Sequence, residues 1–157
     1  MIMTISLIAW MSKNRTIWKN NNLPWNYPED LQYFRKTTNW HPVVMWLSTY
    51  YSIWKPLPNR RNIVLSRQEL EIEGIEIFHS IPELIKTLKS QNDDKEIFII
   101  WWASIYNQFL DFADKIYLTE IKKDYDWDTF FPIFEDKFTE ISREKHDELD
   151  FVVYKRK

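Results

Sequence analysis

The chain has 157 residues, of which 45% are hydrophobic and 17% aromatic, and its formal net charge is −2 with the histidines neutral. This length suffices for one compact domain with a sizeable core, and the hydrophobic content argues against intrinsic disorder. The small net charge gives no electrostatic reason to expect a nucleic-acid or anionic-membrane partner. The chain has no cysteine, which excludes disulfides, thiolate nucleophiles and cysteine-based zinc sites.

The positions of the histidines argue against a metal site, and the first residues argue against a membrane-spanning segment. His41, His79 and His146 are far apart in sequence and none forms a metal-ligand pair, so we predict no metal site. Residues 1–11 are apolar, but the stretch is too short to span a bilayer and has no basic region before it. We therefore expect a cytoplasmic, monomeric protein without a membrane or nucleic-acid partner, folded as a single domain over residues 1–157.

In chain order, short apolar strands alternate with helices, after a polar stretch at 13–22 that predicts a loop. Strands are predicted at 5–9, 42–45, 62–65, 75–78, 96–100 and 115–121, and two antiparallel strands at 138–141 and 151–154. Helices are predicted at 28–38, 48–53 and 103–109, and another one after Ser80, which forms a capping box with Glu83. The short apolar runs fit strands buried on both faces, so the alternation predicts an α/β sheet.

The helix at 28–38 carries the first candidate for chemistry. Pro28 suits a first helical turn, and Asp30 places negative charge where the helix dipole favours it. Asp30 is four residues from Phe34, so its carboxylate adjoins the apolar face that Leu31 and Phe34 share. A carboxylate there is partly desolvated and its pKa should rise, which suits proton chemistry near neutral pH. The alternative is that Asp30 only stabilises the helix start.

Further motifs give the chain a family resemblance. In order along the sequence they are Ile5-Ser6-Leu7-Ile8-Ala9, Leu23-Pro24-Trp25, Asp30-Leu31-x-x-Phe34, Ser48-Thr49-Tyr50, Pro56-Leu57-Pro58-x-Arg60-x-Asn62, Ile105-Tyr106, Leu118-Thr119 and Asp128-Thr129-x-Phe131-Pro132. One such piece is a weak signal, but together, in this order and spacing, they are a strong one. The chain resembles dihydrofolate reductases over essentially its whole length.

The resemblance implies both a fold and a reaction. The fold is a three-layer α/β structure whose mostly parallel, twisted central sheet has about eight strands, a C-terminal antiparallel hairpin and flanking helices. The reaction is the NADPH-dependent reduction of 7,8-dihydrofolate to 5,6,7,8-tetrahydrofolate, with hydride passing from nicotinamide C4 to pterin C6. A related pterin or pyrimidine reductase is an alternative. Arg60 favours folate, because it has a role only if the substrate carries a glutamate tail.

The resemblance also implies roles for the residues that bind substrate. Asp30 would bind the pterin and promote protonation of N5, with Thr119 supporting the carboxylate and Trp25 ordering water beside it. Arg60 would pair with the glutamate α-carboxylate, which suits a guanidinium fork. The apolar walls around the substrate would be Ile8, Leu31, Phe34 and Ile100. The alternatives are structural: Arg60 as an exposed arginine of a polar turn, Phe34 as a core residue and Thr119 as an ordinary strand residue.

The resemblance places the cofactor beside a second group of residues. These are Ile17, Trp46, Thr49, Ser66, Arg67, Trp101, Trp102 and Tyr106. Leu47 stands where many relatives have a basic residue, so Arg67 is the candidate for a contact with the 2′-phosphate.

Tryptophan and glycine are used abnormally, since the chain has nine tryptophans and one glycine. Tryptophans occupy positions where dihydrofolate reductases commonly carry glycine or, at the first of them, another small residue: Trp10, Trp18, Trp40, Trp46, Trp54, Trp101, Trp102 and Trp127. One hypothesis is a codon, UGA, that the source reads as glycine and that is translated here as tryptophan; deliberate substitution is the other. As written, the chain could be a folate-binding module whose cofactor groove is filled by Trp46, Trp101 and Trp102.

Overall fold

The structure, a computed structural model, describes residues 3–18, 28–53, 55–91, 96–100, 108–126 and 129–157. Its strands are β1 (Thr4–Met11), β2 (Thr16–Trp18), β3 (Val43–Trp46), β4 (Asn62–Leu65), β5 (Ile75–Phe78), β6 (Glu96–Ile100), β7 (Lys115–Ile121), β8 (Thr129–Phe130), β9 (Phe138–Lys145) and β10 (Leu149–Arg156). Its helices are α1 (Pro28–Thr38), α2 (Leu47–Ile53) and α3 (Ile81–Ser90), with a 3-10 turn at Leu110–Phe112. Within these ranges no helix has the length and apolar character needed to cross a membrane.

An eight-stranded sheet in the order β5-β4-β3-β6-β1-β7-β10-β9 organises the molecule. The pairs from β5 to β7 are parallel, while β10 is antiparallel to both β7 and β9. Every residue of β4 is buried, as are Val43, Val44 and Met45 of β3. Burial on both faces explains why these strands are apolar runs without polar alternation. The predicted α/β fold, with its mostly parallel sheet and C-terminal antiparallel hairpin, is confirmed.

The hairpin strands are longer than predicted. We predicted 138–141 and 151–154, whereas β9 and β10 cover Phe138–Lys145 and Leu149–Arg156. The additional residues of β9 are polar or charged, because β9 is the exposed edge strand of the sheet. Charged side chains protect such an edge from pairing with another chain, so polarity there does not indicate a loop.

Helices α1 and α3 begin and end close to where the sequence places them. Helix α1 covers the predicted residues. Ser80 caps α3, its hydroxyl accepting a hydrogen bond from the backbone N–H of Glu83 at 3.2 Å. The Glu83 carboxylate accepts from the N–H of His79 at 3.2 Å, one residue before the cap, instead of from Ser80. The capping motif is therefore present in a shifted form.

Other predicted boundaries need correction. The loop predicted at 13–22 contains β2, which pairs antiparallel with β8 in a separate two-stranded sheet. Strands this short leave little periodic pattern in a sequence. The strand predicted from Pro42 begins at Val43 and the helix predicted from Ser48 begins at Leu47. Most of the helix predicted at 103–109 lies outside the described residues.

Trp40 follows the end of α1 with a left-handed backbone. Its φ is 67°, and the residue is 67% exposed. This is one of the positions where the resembling family carries glycine, and a glycine after a helix end adopts this conformation without steric cost. Gly74, the only glycine of the chain, also has a positive φ of 80°. The backbone at Trp40 therefore has a left-handed conformation that glycine adopts more easily than tryptophan.

Candidate active site

Several of the predicted site residues lie at or near the carboxyl ends of the parallel strands. Trp46 ends β3 and Ile100 ends β6, while Ser66 directly follows β4. Thr119 lies near the end of β7, where it is opposite Trp10 of β1. Open parallel sheets bind ligands in the crevice outside this edge, so these side chains can contribute to one site.

A buried carboxylate and a buried hydroxyl meet at the centre of this edge. Asp30, in the first turn of α1, is 6% exposed, and Thr119 is 2% exposed. The Thr119 hydroxyl donates to Oδ1 of Asp30 at 2.5 Å, across 89 residues of sequence. This is a short hydrogen bond between two buried side chains. The structure thus places together the two residues that the resemblance paired.

The residues predicted as apolar walls are mostly buried. Ile8 and Ile100 are direct neighbours across the β1–β6 pair. Ile8, Ile17, Phe34 and Ile100 all belong to the main hydrophobic core, and Leu31 is half-buried. Their burial fits the alternative that they are only core residues. The same positions also place apolar surface beside Asp30 on α1 and along β1 and β6.

Arg60 lies at the other end of α1 from Asp30. Its Nη1 donates to the hydroxyl of Thr38 at 2.6 Å, and its Nε donates to the carbonyl of Pro58 at 2.7 Å. No carboxylate of the described residues pairs with it. Burial, and then the nearby Arg35 cation, lower the pKa of Arg60 below its usual value. This guanidinium is therefore held by neutral groups and would be stabilised by an anion.

The turn that presents Arg60 is fixed by a buried amide. Asn62 is 3% exposed. Its Oδ1 accepts from the N–H of Leu57 at 2.8 Å, and its Nδ2 donates to the carbonyls of Leu57 and Arg60 at 2.9 and 3.0 Å. Asn59 has a φ of 64° in this turn, a conformation that asparagine tolerates better than most residues. Asn62 thus determines the path of residues 57–60.

The predicted cofactor side is built around the end of β4. The Ser66 hydroxyl accepts from the N–H of Gln68 at 3.1 Å, and the Ser66 carbonyl is 2.8 Å from Nδ1 of His79. This turn leaves Arg67 exposed, without an ion pair to any described residue. Thr49 is 2% exposed. Trp46 packs partly buried against the main core, and its Nε1 has no hydrogen-bond partner in the described part of the chain.

Comparison with known proteins decides the family. A family model described as dihydrofolate reductase matches residues 4–156. The chain belongs to the dihydrofolate reductase family. It is 44% identical over 130 residues to the dihydrofolate reductase of Haemophilus influenzae, covering 83% of this chain and 79% of that one. It is 35% identical over 162 residues to the dihydrofolate reductase of Bacillus subtilis, covering 98% and 95% respectively.

A solved dihydrofolate reductase has the same fold. It comes from Enterococcus faecalis, is complexed with NADP(H) and RAB-propyl, and matches with a TM-score of 0.85. The match covers 98% of this chain and 96% of that chain at 24% sequence identity. At this identity the likeness establishes the arrangement of strands and helices, and the site residues have to be argued from this chain.

Four residues that the family resemblance assigned to the site lie outside the described residues. They are Trp25, Trp101, Trp102 and Tyr106. Their roles in ordering water and binding cofactor stay predictions. The same holds for the filling of the cofactor groove, of which Trp46 alone is described.

Sequence reasoning did not assign a role to Thr38 or Asn62, although both contact the segment that carries Arg60. Asn62 belongs to the motif Pro56-Leu57-Pro58-x-Arg60-x-Asn62, and an asparagine at the start of an apolar strand is the signal that could have identified it. Thr38 gives a weaker signal, because only its spacing of eight residues from Asp30 places it on the same helix face. Its contact with Arg60 depends on the fold.

A cavity of about 350 Å³ has none of the predicted site residues in its lining. Its lining comes from the ends of β1 and β7 and from β10: Met11, Ser12, Lys13, Glu120, Ile121, Lys122 and Asp150. Asp150 already pairs with Arg143 at 2.8 Å and with Lys122 at 3.1 Å. Since these charges satisfy one another, we assign the active site of this family member to the Asp30 edge. No group of His, Asp and Glu suited to a metal ion occurs in the described part of the chain.

Proposed function

We propose that this chain reduces 7,8-dihydrofolate to 5,6,7,8-tetrahydrofolate with NADPH as the reductant. The observation that carries the proposal is the buried hydrogen bond between Asp30 and Thr119. A carboxylate at the carboxyl edge of a parallel sheet, in a chain of the dihydrofolate reductase family, suits the binding of a pterin. We also expect a monomeric, cytoplasmic enzyme.

Asp30 would bind and orient the pterin. The reduction adds a hydride to C6 and a proton to N5, and protonation of N5 ahead of hydride transfer gives the ring a positive charge that the incoming hydride then neutralises. A carboxylate accepts hydrogen bonds from the pterin amino group and ring N–H. Its negative charge, in a site with little water, stabilises the protonated ring and so favours proton transfer to N5. The Thr119 hydroxyl would hold the carboxylate in that orientation.

Helix α1 would align the rest of the substrate. Asp30, Phe34 and Thr38 are its buried residues and recur every four positions, so they share one face. The rise of a helix separates the first and last of them by about 12 Å. This length allows the pterin to lie at Asp30, the benzoyl group beside Phe34 and the glutamate tail near Arg60. The guanidinium suits the α-carboxylate of that tail.

The described residues at the ends of β3 and β4 fit NADPH. Arg67 is an exposed cation without an ion pair to described residues, and Trp46 Nε1 is a buried donor lacking a described partner. The phosphates of NADPH would pair with the Arg67 cation. A buried N–H normally has an acceptor, and the cofactor could provide one for Trp46 Nε1. Ser66, Arg67, Thr49 and Ile17 would hold the cofactor, and the indole of Trp46 would lie beside it and limit the room that it has. When bound, NADPH would supply the hydride that the pterin receives at C6.

The test is loss of NADPH absorbance on addition of dihydrofolate, with each substance omitted in turn as a control. The proposal expects oxidation that requires both. A second chain, with glycine in place of Trp46, Trp101 and Trp102, separates the enzyme from the folate-binding module. Activity in the second chain alone would assign the literal chain to the binding-module alternative. Absence of activity in both, with the fold intact, would contradict the proposed reaction.

A further inference from the structure

We propose that Thr38 is a positioning residue that orients the Arg60 guanidinium toward the carboxylate of the substrate tail. The inference rests on the proposed function, because it assumes that the ligand carries a glutamate. It goes beyond that function by assigning the recognition of the tail to a second, completely buried side chain. Thr38 would not touch the substrate and would act through Arg60.

The hydroxyl of Thr38 is fully used within the protein. Thr38 is 0% exposed. Its Oγ1 donates to the carbonyl of Phe34 at 2.9 Å and accepts from Nη1 of Arg60 at 2.6 Å. A hydroxyl has one hydrogen to donate, and the Phe34 carbonyl takes it. The oxygen is therefore fixed as an acceptor, and only a donor such as a guanidinium can occupy the other side.

The contacts of Arg60 determine which of its donors remain. A guanidinium has five N–H donors; Nε donates to the Pro58 carbonyl and one hydrogen of Nη1 donates to Thr38. The remaining hydrogens are on Nη1 and Nη2. A carboxylate is therefore expected at the edge formed by these two nitrogens and not at the edge that includes Nε. Thr38 and Pro58 together select the edge that faces the ligand.

Charge explains why this orientation matters. The described residues provide Arg60 with no carboxylate, and burial together with the Arg35 cation disfavours its positive charge. A ligand carboxylate at the open edge would relieve this cost. If the Thr38 hydroxyl were absent, the guanidinium could rotate toward water, and binding of the ligand would have to restore the ordered geometry.

The experiment compares folate with pteroate, which lacks the glutamate, by quenching of the intrinsic tryptophan fluorescence. Thr38→Val should weaken folate binding about tenfold and pteroate binding by less than about twofold. Thr38→Ser keeps the hydroxyl and should restore folate binding. Thr37→Val removes a hydroxyl from the neighbouring position on the same helix, and should leave the ratio of the two dissociation constants unchanged. Circular dichroism checks that each variant is folded.

Repeating the Thr38→Val comparison in a chain that lacks Arg60 tests whether Thr38 acts through Arg60. In a chain carrying Arg60→Leu, the additional change Thr38→Val should leave the folate-to-pteroate ratio unchanged, since the two residues act as one unit. Equal losses for folate and pteroate, or an equal effect of Thr38→Val in both backgrounds, would overturn the inference. NADPH oxidation is measured separately. A chain that fails to oxidise NADPH but keeps a Thr38-dependent preference for folate would contradict the proposed function and leave this inference standing.

Discussion

At the scale of single residues, the site depends on pairs that are distant in sequence. Thr119 contacts Asp30 across 89 residues, and Arg60 contacts Thr38 across 22 residues. The sequence indicates Asp30 because its carboxylate adjoins an apolar helix face, and it indicates Arg60 only through the family resemblance. It does not indicate Thr38 in the same way, because a threonine at the end of a helix gains its role only from the chain that folds against it.

Asp30→Asn should nearly abolish reduction of dihydrofolate while the fold stays intact. The amide keeps the shape of the side chain but lacks the charge that stabilises a protonated pterin. Activity should recover partly at acidic pH, where solvent protonates the substrate. The measurement is the rate of NADPH oxidation across a pH series. Glu29→Gln, which removes the neighbouring carboxylate of the same helical turn, is the matched control and should retain activity. An unchanged rate in Asp30→Asn at neutral pH would remove Asp30 from the mechanism.

At the scale of elements, two tryptophans have opposite effects on stability: Trp40 is expected to lower it and Trp10 to raise it. Trp40 is 67% exposed with a φ of 67°, whereas Trp10 is 5% exposed and packs with Ile121, Leu149 and Phe151. Both stand where the family carries a small residue. Trp40 has a left-handed backbone conformation that glycine adopts more easily, whereas the side chain of Trp10 is part of a buried hydrophobic cluster.

Trp40→Gly should therefore raise the free energy of unfolding by about 1 kcal/mol, because it removes a left-handed residue with a side chain. Trp10→Gly should lower it by about 3–5 kcal/mol, the usual cost of deleting a large buried aromatic side chain. Denaturant unfolding followed by circular dichroism measures both. A loss of stability in Trp40→Gly would show that the exposed indole makes a favourable contact after α1.

The ion pairs of the C-terminal hairpin make the free energy of unfolding depend on pH. Burial alone would raise the pKa of Asp150, but hydrogen bonds from Arg143, Lys122 and the N–H of His146 hold that pKa below its usual value. Because the folded-state pKa is the lower one, the stabilisation is complete above the unfolded value of about 3.9 and is lost as the pH falls through the folded value.

Asp150→Asn should lower the free energy of unfolding by about 1–3 kcal/mol at neutral pH, since two cations lose a charged partner. The difference from the parent should shrink below about pH 4. Urea unfolding at a series of pH values measures it. Asp111→Asn alters an exposed aspartate that pairs with Lys137 at 3.5 Å, and should change stability by no more than about 1 kcal/mol. A difference for Asp150→Asn that persists unchanged under acidic conditions would exclude its ionisation as the cause.

At the scale of the whole molecule, the sequence predicts the parallel core well and the small second sheet not at all. The strands at 62–65, 75–78, 96–100 and 115–121 have the predicted bounds. Burial leaves an apolar run in β4 and in most of β6, whereas β5 and β7 are only partly buried and β7 alternates polar and apolar residues. Strands β2 and β8 have three and two residues, too few for a pattern. Their pairing depends on the sheet that brings residues 16 and 130 together.

The whole chain should bind NADPH more weakly as written than with glycine at positions 46, 101 and 102. A dinucleotide pyrophosphate needs backbone amides within about 2.7–3.2 Å, and an indole can occupy that space. Titration of both chains with NADPH, followed by nicotinamide fluorescence, measures the difference. A chain with glycine only at position 40, an exposed residue that precedes the opposite end of β3 from Trp46, is the control. Comparable dissociation constants would show that the groove accepts the cofactor despite the tryptophans.

The codon hypothesis concerns the gene and not the fold. If a UGA codon read as glycine explains the tryptophans, the gene carries UGA at Trp10, Trp18, Trp40, Trp46 and the other replaced positions, and UGG at Trp25. Sequencing the gene decides this. Mixed codons, or UGG throughout, would leave deliberate substitution as the explanation.

The central place of β1 has a consequence for synthesis of the protein. Both neighbours of this strand come from far along the chain, with Thr4 pairing with Glu96 and Ser6 with Lys115. A ribosome therefore releases an apolar strand with two unsatisfied edges long before either partner exists. Such a segment associates readily with other nascent chains. A chaperone that holds exposed apolar segments until residues 96–121 emerge would protect the growing chain during this interval.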